Sequence, residues 1–376
     1  MKKTPLLVLL FTLAFAHFIN DWYSMCIPPI IPVIRKLYTI NYFQAGIVAT
    51  MPYLAAAILQ LPVAHFTEKR GIRKSVLIFG FLILAVSYFL FSFSGTYMFM
   101  LITALFIGVG LSAYHPQAIG ILSFEFKGRK GGALGIHGAG GSLGFAAGPI
   151  VVGLLFSWMG FKGLHLLIIP GIVVALLIFF FIHIEEKPIT SSFKSAITLR
   201  ILLIGFVAMV TPFFSRGVAA FMPAFLYYKG ETLLMANLYT GFMLIIGVAA
   251  QPLGGFLSDI LGRRTVIVTS YTLSGILLLL FVNHPCLSIL IIYGFFVFLP
   301  VAVRHAFAAE AGGKKIDTNI AVMYSMVMLG SSISPALIGK FIDALGFEVA
   351  FSIITLVAFA GAALALFIRP VKNENT

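Results

Sequence analysis

GGFLSDILGRR (residues 254–264) has an earlier echo in AHFTEKRGIRK (residues 64–74), and the distance between the two points to the fold. Gly71 and Gly262 lie 191 residues apart, as do Glu68 and Asp259, and Gln60 and Gln251. The later copy reads G-x-x-x-D-x-x-G-R-R. The earlier one is looser, with Ala64 for the first Gly, Glu68 for Asp and Ile72 for the first Arg. One offset of about half of a 376-residue chain marks two related halves. Each copy follows one long apolar run and precedes another.

Those runs decide the solvent. Of the residues 60% are hydrophobic and 10% charged, against roughly 25% charged in soluble domains, and the mean hydropathy is +1.07. A soluble surface cannot be made from this. Apolar stretches long enough to cross roughly 30 Å of hydrocarbon recur twelve times, from 6–34 to 347–368. Backbone groups in lipid must be satisfied within the segment, so the spans are helices. Alternating strand patterns are absent. The opening MKKTPLLVLL begins like a signal peptide, but its apolar run is too long and lacks a small-residue cleavage site. It is read as an uncleaved first helix.

The net charge of +13 raises nucleic acid as a partner; its distribution argues against that. With the N-terminus placed in the cytoplasm, 18 of the 25 Lys and Arg fall in cytoplasmic segments, five in outer loops, and Arg216 and Arg304 within spans. This is the positive-inside bias. It predicts an inner-membrane, multi-pass protein with both termini cytoplasmic. The polar stretch EEKPITSSFKS (185–195) divides six spans from six. The expected domains are an N-terminal six-helix bundle (1–184), a cytoplasmic linker (185–199) and a C-terminal six-helix bundle (200–376). Parallel-related bundles with a site at their interface are a transporter plan. Cys26 and Cys286 stand in apolar context at no metal spacing, so no disulfide framework, metal site or cofactor is expected.

Within the first span, AHFINDWY (16–23) puts His17, Asn20 and Asp21 where hydrocarbon is expected. Ionisable groups there cost roughly 2.5–3.5 kcal/mol on insertion scales unless they face protein or water. Such residues sit also in span 4 (His115), span 7 (Arg216) and span 10 (Arg304, His305), while spans 3, 9 and 12 have none in their interiors.

Paired loops of this type, twelve spans and a central linker resemble the major facilitator superfamily over nearly the whole chain. The resemblance implies an all-α membrane protein of two pseudo-symmetric six-helix bundles. It also implies that the first helix of each triplet (1, 4, 7 and 10) lines a central cavity, as the polar residues require. The family's loop acid and arginines hold the cytoplasmic helix ends together when the cavity faces outward. That gating role falls on Asp259, Gly262, Arg263 and Arg264, and on Glu68 and Arg73; ordinary topological anchoring is the alternative. In the fifth helix, Gly144-x-x-x-Gly148-Pro149 looks like the packing motif of the superfamily's antiporters, with tight packing alone as the alternative. The arginine that drug–proton antiporters carry in helix four is replaced here by Ala104, and His115 is the nearest substitute.

His17-Phe18-x-x-Asp21 with Pro28 and Pro32, together with Tyr114-His115-Pro116, is similar to the fosmidomycin-resistance branch, which is associated with efflux of an anionic phosphonate antibiotic. The expected function is proton-coupled efflux of a small anionic or amphiphilic compound by a monomer; uptake of a small anion is the alternative. Asp21, His115 and His17 are the expected proton-coupling groups. Arg304, Arg216, His305, Asn20 and His137 are the expected substrate-binding groups, guanidinium being suited to bidentate phosphonate or carboxylate. By depth and repeat offset, Asp21 is expected opposite Arg216 and His115 opposite Arg304. A structural ion pair is the alternative for the charges, and a neutral, hydrogen-bonded ring for His137 and His305. An intramembrane enzyme is not expected: the eight histidines are scattered, and Ser142 of GGSLG (140–144) stands in a helix of packing glycines.

Overall fold

The computed structural model describes residues 4–126, 129–185, 199–310 and 316–368. Most of the 185–199 linker, and the basic residues Lys2, Lys3, Lys127, Lys187, Lys194, Lys314, Lys315, Arg369 and Lys372, lie outside them. The first half runs α1 (Leu6–Ser24), α2 (Ile31–Tyr38), α3 (Tyr42–Arg70), α4 (Arg73–Phe91), α5 (Tyr97–Ser112), α6 (His115–Glu125), α7 (Lys130–Met159) and α8 (Ile168–Phe181). The second runs α9 (Leu199–Pro212), α10 (Val218–Tyr228), α11 (Leu233–Ile245), α12 (Gly247–Leu261), α13 (Arg263–Asn283), α14 (Leu287–Phe298), α15 (Pro300–Glu310), α16 (Ile316–Leu345) and α17 (Phe347–Leu366).

Eleven helical stretches among the described residues are long and apolar enough to cross a membrane. Twelve are expected from the sequence; the difference is one stretch of 50 residues, Gly132–Phe181, which runs through a break at Gly160 (φ 59°) and a 3-10 turn. Helix ends follow local chemistry. Asn41 and Gln44 form a reciprocal capping box at the start of α3, satisfying two amides the first turn leaves unpaired. Gly71 ends α3 in the left-handed conformation (φ 64°), which glycine enters without a Cβ clash. Pro212 ends α9, and a five-residue π-helical turn, Phe213–Gly217, follows. Proline disrupts the i→i−4 ladder, and the wider turn carries Arg216 into the next segment.

Packing is mostly within halves. α1 lies on α7, α3 and α8 on α4 and α5 between them; in the second half α9 and α17 lie on α16 and α13, and α12 on α15. Two seams join the halves, α3 against α16 and α11 against α7. Both are close contacts at glycine, backbone on backbone between α3 and α16 and glycine against side chain between α11 and α7. A Cβ on Gly46 would stand 2.5 Å from Pro335 O, and Gly339 lies against Tyr42, Gly241 against Ile150 and Gly153 against Asn237. Small residues permit this approach in lipid, where tight packing rather than the hydrophobic effect joins helices. Asp343, on α16, accepts hydrogen bonds from the Tyr42 and Phe43 amides at 2.9 and 2.7 Å and so caps α3 from across the seam. Asn237 Nδ2 donates to Pro29 O (3.4 Å) and Lys36 Nζ to Tyr227 OH (3.3 Å).

These ties lie away from the two loop motifs. Among the described residues, the hydrogen bond across the seam nearest those motifs is Gln251 Nε2 to Ser142 Oγ at 3.0 Å. Gln251 precedes Gly262 by 11 residues, about 16 Å of helix. Among the described residues, the hydrogen bonds that tie the halves thus gather toward the end away from the loop motifs.

Candidate functional site

The α1 helix presents His17, Asn20 and Asp21 to one side. His17 and Asp21 are one turn apart, with Nε2 3.3 Å from Oδ2. His115 enters from the other long arm of the same half. The span breaks after Ser112, and α6 restarts at His115 with Pro116 in its first turn, a position where proline's missing N–H costs nothing. That restart brings His115 Nε2 to 3.5 Å from Asp21 Oδ1. Asn20 Nδ2 donates to Asp21 Oδ1 (3.0 Å) and lies 3.4 Å from His115 Nε2. Asn20 Oδ1 is buried without a partner.

The proton count of this cluster follows from its hydrogen bonds. His17 Nδ1 lies 2.7 Å from His137 O. A carbonyl only accepts, so Nδ1 carries the hydrogen. The other ring nitrogen then faces a carboxylate oxygen, and that contact is attractive only with a proton between Nε2 and Oδ2. His137 is fixed from behind: its ring stacks on His17 at 4.1 Å. Its Nε2 lies 3.0 Å from Tyr114 OH, which donates to Leu13 O at 2.5 Å. His137 is therefore a buried, hydrogen-bonded support whose Nε2 donates to Tyr114 OH, 3% exposed. One ligand atom from each of His17, Asp21 and His115 lies within 4.8 Å of the others, the one grouping among the described residues whose donors could meet at a cation. A shared proton satisfies the same contact.

The two expected oppositions fare differently. Arg216 and Asp21 interact electrostatically, as expected, with no direct ion pair within 4.0 Å among the described residues. Its guanidinium carbon stands 5.2 Å from the Tyr53 ring centroid and 4.8 Å from that of Phe145, both in the first half. These are cation–π distances. Arg304 does not face His115. It turns into the second half, 6% exposed, where Nη1 donates to Thr211 Oγ1 and, at 3.4 Å, to Tyr271 OH. The neighbour His305 takes the place expected of it: the His115 and His305 rings lie 6.3 and 6.4 Å from the ring of Tyr324 on α16. Tyr324 thus stands between a histidine from each half. Asp21 and His115 side chains are each 20% exposed although they lie mid-span and face other helices of the seam.

Tyr53, Phe145 and Tyr324 are functional candidates that the sequence did not mark. With aromatics at 14% of the chain, nothing separates them from lipid-facing rings.

The packing and loop motifs have definite partners. Gly140, Gly144 and Gly148 lie against Ala14, Phe18 and Met25, so the bare face of α7 holds α1, within one half rather than between halves. Gly141 lies against the His17 ring. Pro149 continues α7 without ending it. In the loops, Arg73 pairs with Glu68 at 3.7 Å and Arg263 with Asp259 at 2.5 Å. Arg263 also donates to Ser258 Oγ at 2.5 Å, and Arg264 to Leu366 O at 3.4 Å. Gly262 adopts φ 86°. Each of these contacts stays within its own half.

Residues 13–236 and 204–376 match the sequence profile described as Major Facilitator Superfamily. The uncharacterized MFS-type transporter YfnC of Bacillus subtilis is 24% identical over 372 residues, covering 91% of this chain and 88% of its own. The fosmidomycin resistance protein of Escherichia coli is 23% identical over 269 residues, 68% of this chain and 66% of its own. Among solved structures, a bacterial homologue of the human lysosomal transporter Spinster, inward-facing and unoccupied, superposes with a TM-score of 0.77 at 16% identity, covering 98% of this chain and 96% of that one.

Proposed function

The chain belongs to the Major Facilitator Superfamily, whose members are multi-pass membrane transporters of small molecules and not enzymes, and from that premise we propose that it exports a small anionic or amphiphilic compound in exchange for protons. The observation that carries this reading is the cluster of His17, Asp21 and His115 beside Arg216, whose guanidinium makes no direct ion pair with a carboxylate among the described residues. Asp21 and His115, with His17, are the proton carriers; Arg216 meets the anion. Gln251, Ser142 and Asn20 offer neutral hydrogen bonds around them. His137 holds His17 in place, and Arg304 braces the second half through Thr211 and Tyr271.

In this reading the 50-residue stretch Gly132–Phe181 crosses twice. At 1.5 Å per residue it is about 75 Å long, more than twice the roughly 30 Å core. The count is then twelve, in six-helix bundles over 1–184 and 200–376. The loop motifs face the cytoplasm, and the structure is the inward-facing state. Asp259, Arg263 and Arg264, with Glu68 and Arg73, bridge the bundles once the outer seam opens. The molecule acts as a monomer in the cell's inner membrane.

The test is a reconstituted one. In proteoliposomes with an imposed proton gradient, the wild type accumulates or expels an anionic antibiotic according to the gradient. Asp21→Asn, which keeps the shape but removes the acid, inserts normally and loses gradient-driven flux while retaining counterflow. Full gradient-driven transport by Asp21→Asn would overturn the coupling role. Flux in inside-out against right-side-out vesicles separates export from uptake.

A further inference from the structure

The rings around Arg216 say more about an occupant than its charge does. Arg216 is held by ring faces, Tyr53 and Phe145, with no carboxylate within 4.0 Å among the described residues. A guanidinium presents five donors in one plane, so its edge remains suited to a planar, bidentate acid. Phe145 continues the aromatic wall to Phe298, 6.4 Å away in the second half. On another side stands Tyr324, flanked by His115 and His305. Flat groups pack on such rings in offset or edge-on geometry, and the two imidazoles offer polar contacts at its rim. The one nearby acid, Asp21, is already held by Asn20, His17 and His115. Its charge repels a second negative charge on whatever Arg216 holds.

The geometry points to a small aromatic monoanion as the substrate class: one carboxylate, or a singly charged phosphonate, on a flat ring. The acid group meets Arg216, the ring lies against Tyr324, and Asp21 excludes dianions. This rests on the transporter reading above and narrows its cargo.

Equilibrium binding by calorimetry on the purified full chain tests it with four probes: benzoate, cyclohexanecarboxylate, phthalate and benzyl alcohol. Benzoate is expected to bind, the other three at least tenfold more weakly. Arg216→Gln abolishes benzoate binding. Tyr324→Phe keeps the preference for benzoate over cyclohexanecarboxylate, and Tyr324→Leu erases it by weakening benzoate alone. Unchanged thermal unfolding of both Tyr324 variants shows that the fold is retained. Equal binding of cyclohexanecarboxylate or phthalate, benzoate binding that survives Arg216→Gln, or no binding of any probe would each overturn the proposal. Labelled-benzoate counterflow in proteoliposomes separates the two readings. Binding without counterflow sinks the transporter reading and leaves the pocket; proton-driven flux of an aliphatic anion alone does the reverse.

Discussion

At the scale of single residues, Arg304 and His305 show how far one sequence reaches. Both stand in the tenth span, and their chemistry says only that the pair avoids lipid. Which one faces the chamber depends on rotation about the helix axis, and adjacent residues differ by about 100°. The repeat offset is 191 at the loop motifs, yet the rings that share Tyr324, His115 and His305, are 190 apart. An uncertainty of one residue is enough to exchange a buried anchor for a chamber wall. Arg304 sits among Thr211, Tyr271 and the helices that carry them. Its long stem fills space as well as carrying charge. Arg304→Ala is therefore expected to cost about 2–4 kcal/mol of stability through the cavity it leaves, with substrate affinity held within about twofold. Chemical unfolding paired with a binding isotherm checks this. A large loss of affinity with stability unchanged would put Arg304 in the chamber after all. The cluster around Asp21 was legible, because an Asp and a His at i,i+4 in an apolar span have few other uses; the aromatic wall opposite it was not.

At the scale of elements, the spans and the loop motifs could be read directly from hydropathy and spacing, since membrane thickness and backbone satisfaction leave few choices. What escaped was which neighbour each face meets. The glycines of α7 mark a close approach but do not name the partner. The structure gives α1, with Gly144 against the Phe18 backbone and Gly148 against Met25. This contact fixes the rotation of α1, and through it the direction of His17 and Asp21. Gly144→Val places a side chain where Phe18 backbone already stands. It is expected to cost about 1–3 kcal/mol or more by overpacking and to lower proton-driven flux along with stability. Gly138→Ala is the control, since a Cβ there meets nothing within 4 Å. Thermal unfolding and flux for the two variants decide it; equal tolerance of both would show that the glycine face is not a fixed contact.

For the whole molecule, what matters is the balance between its two ends. One end is tied across the seam by Asp343 on the first-turn amides of α3, a carboxylate at the positive end of a helix dipole. Such an interaction at an exposed site contributes about 0.3–1 kcal/mol. Asp343→Ala is thus expected to move the population roughly two- to fivefold toward the state open at that end, by the Boltzmann relation behind population shifts. Distance distributions between spin labels on the Tyr42 end of α3 and the Asp343 end of α16 measure it. A distribution identical to the wild type would show that glycine packing alone keeps the end shut.

The glycine contacts at Gly46 and Gly339 have a further consequence for energy conversion. Where two backbones touch with no side chain between them, there is no gap for a file of water molecules and so no wire along which protons could hop. The closed end is an electrical insulator. A transporter that moves ions against a voltage must never short-circuit the membrane it draws on, and here the missing side chains provide that protection.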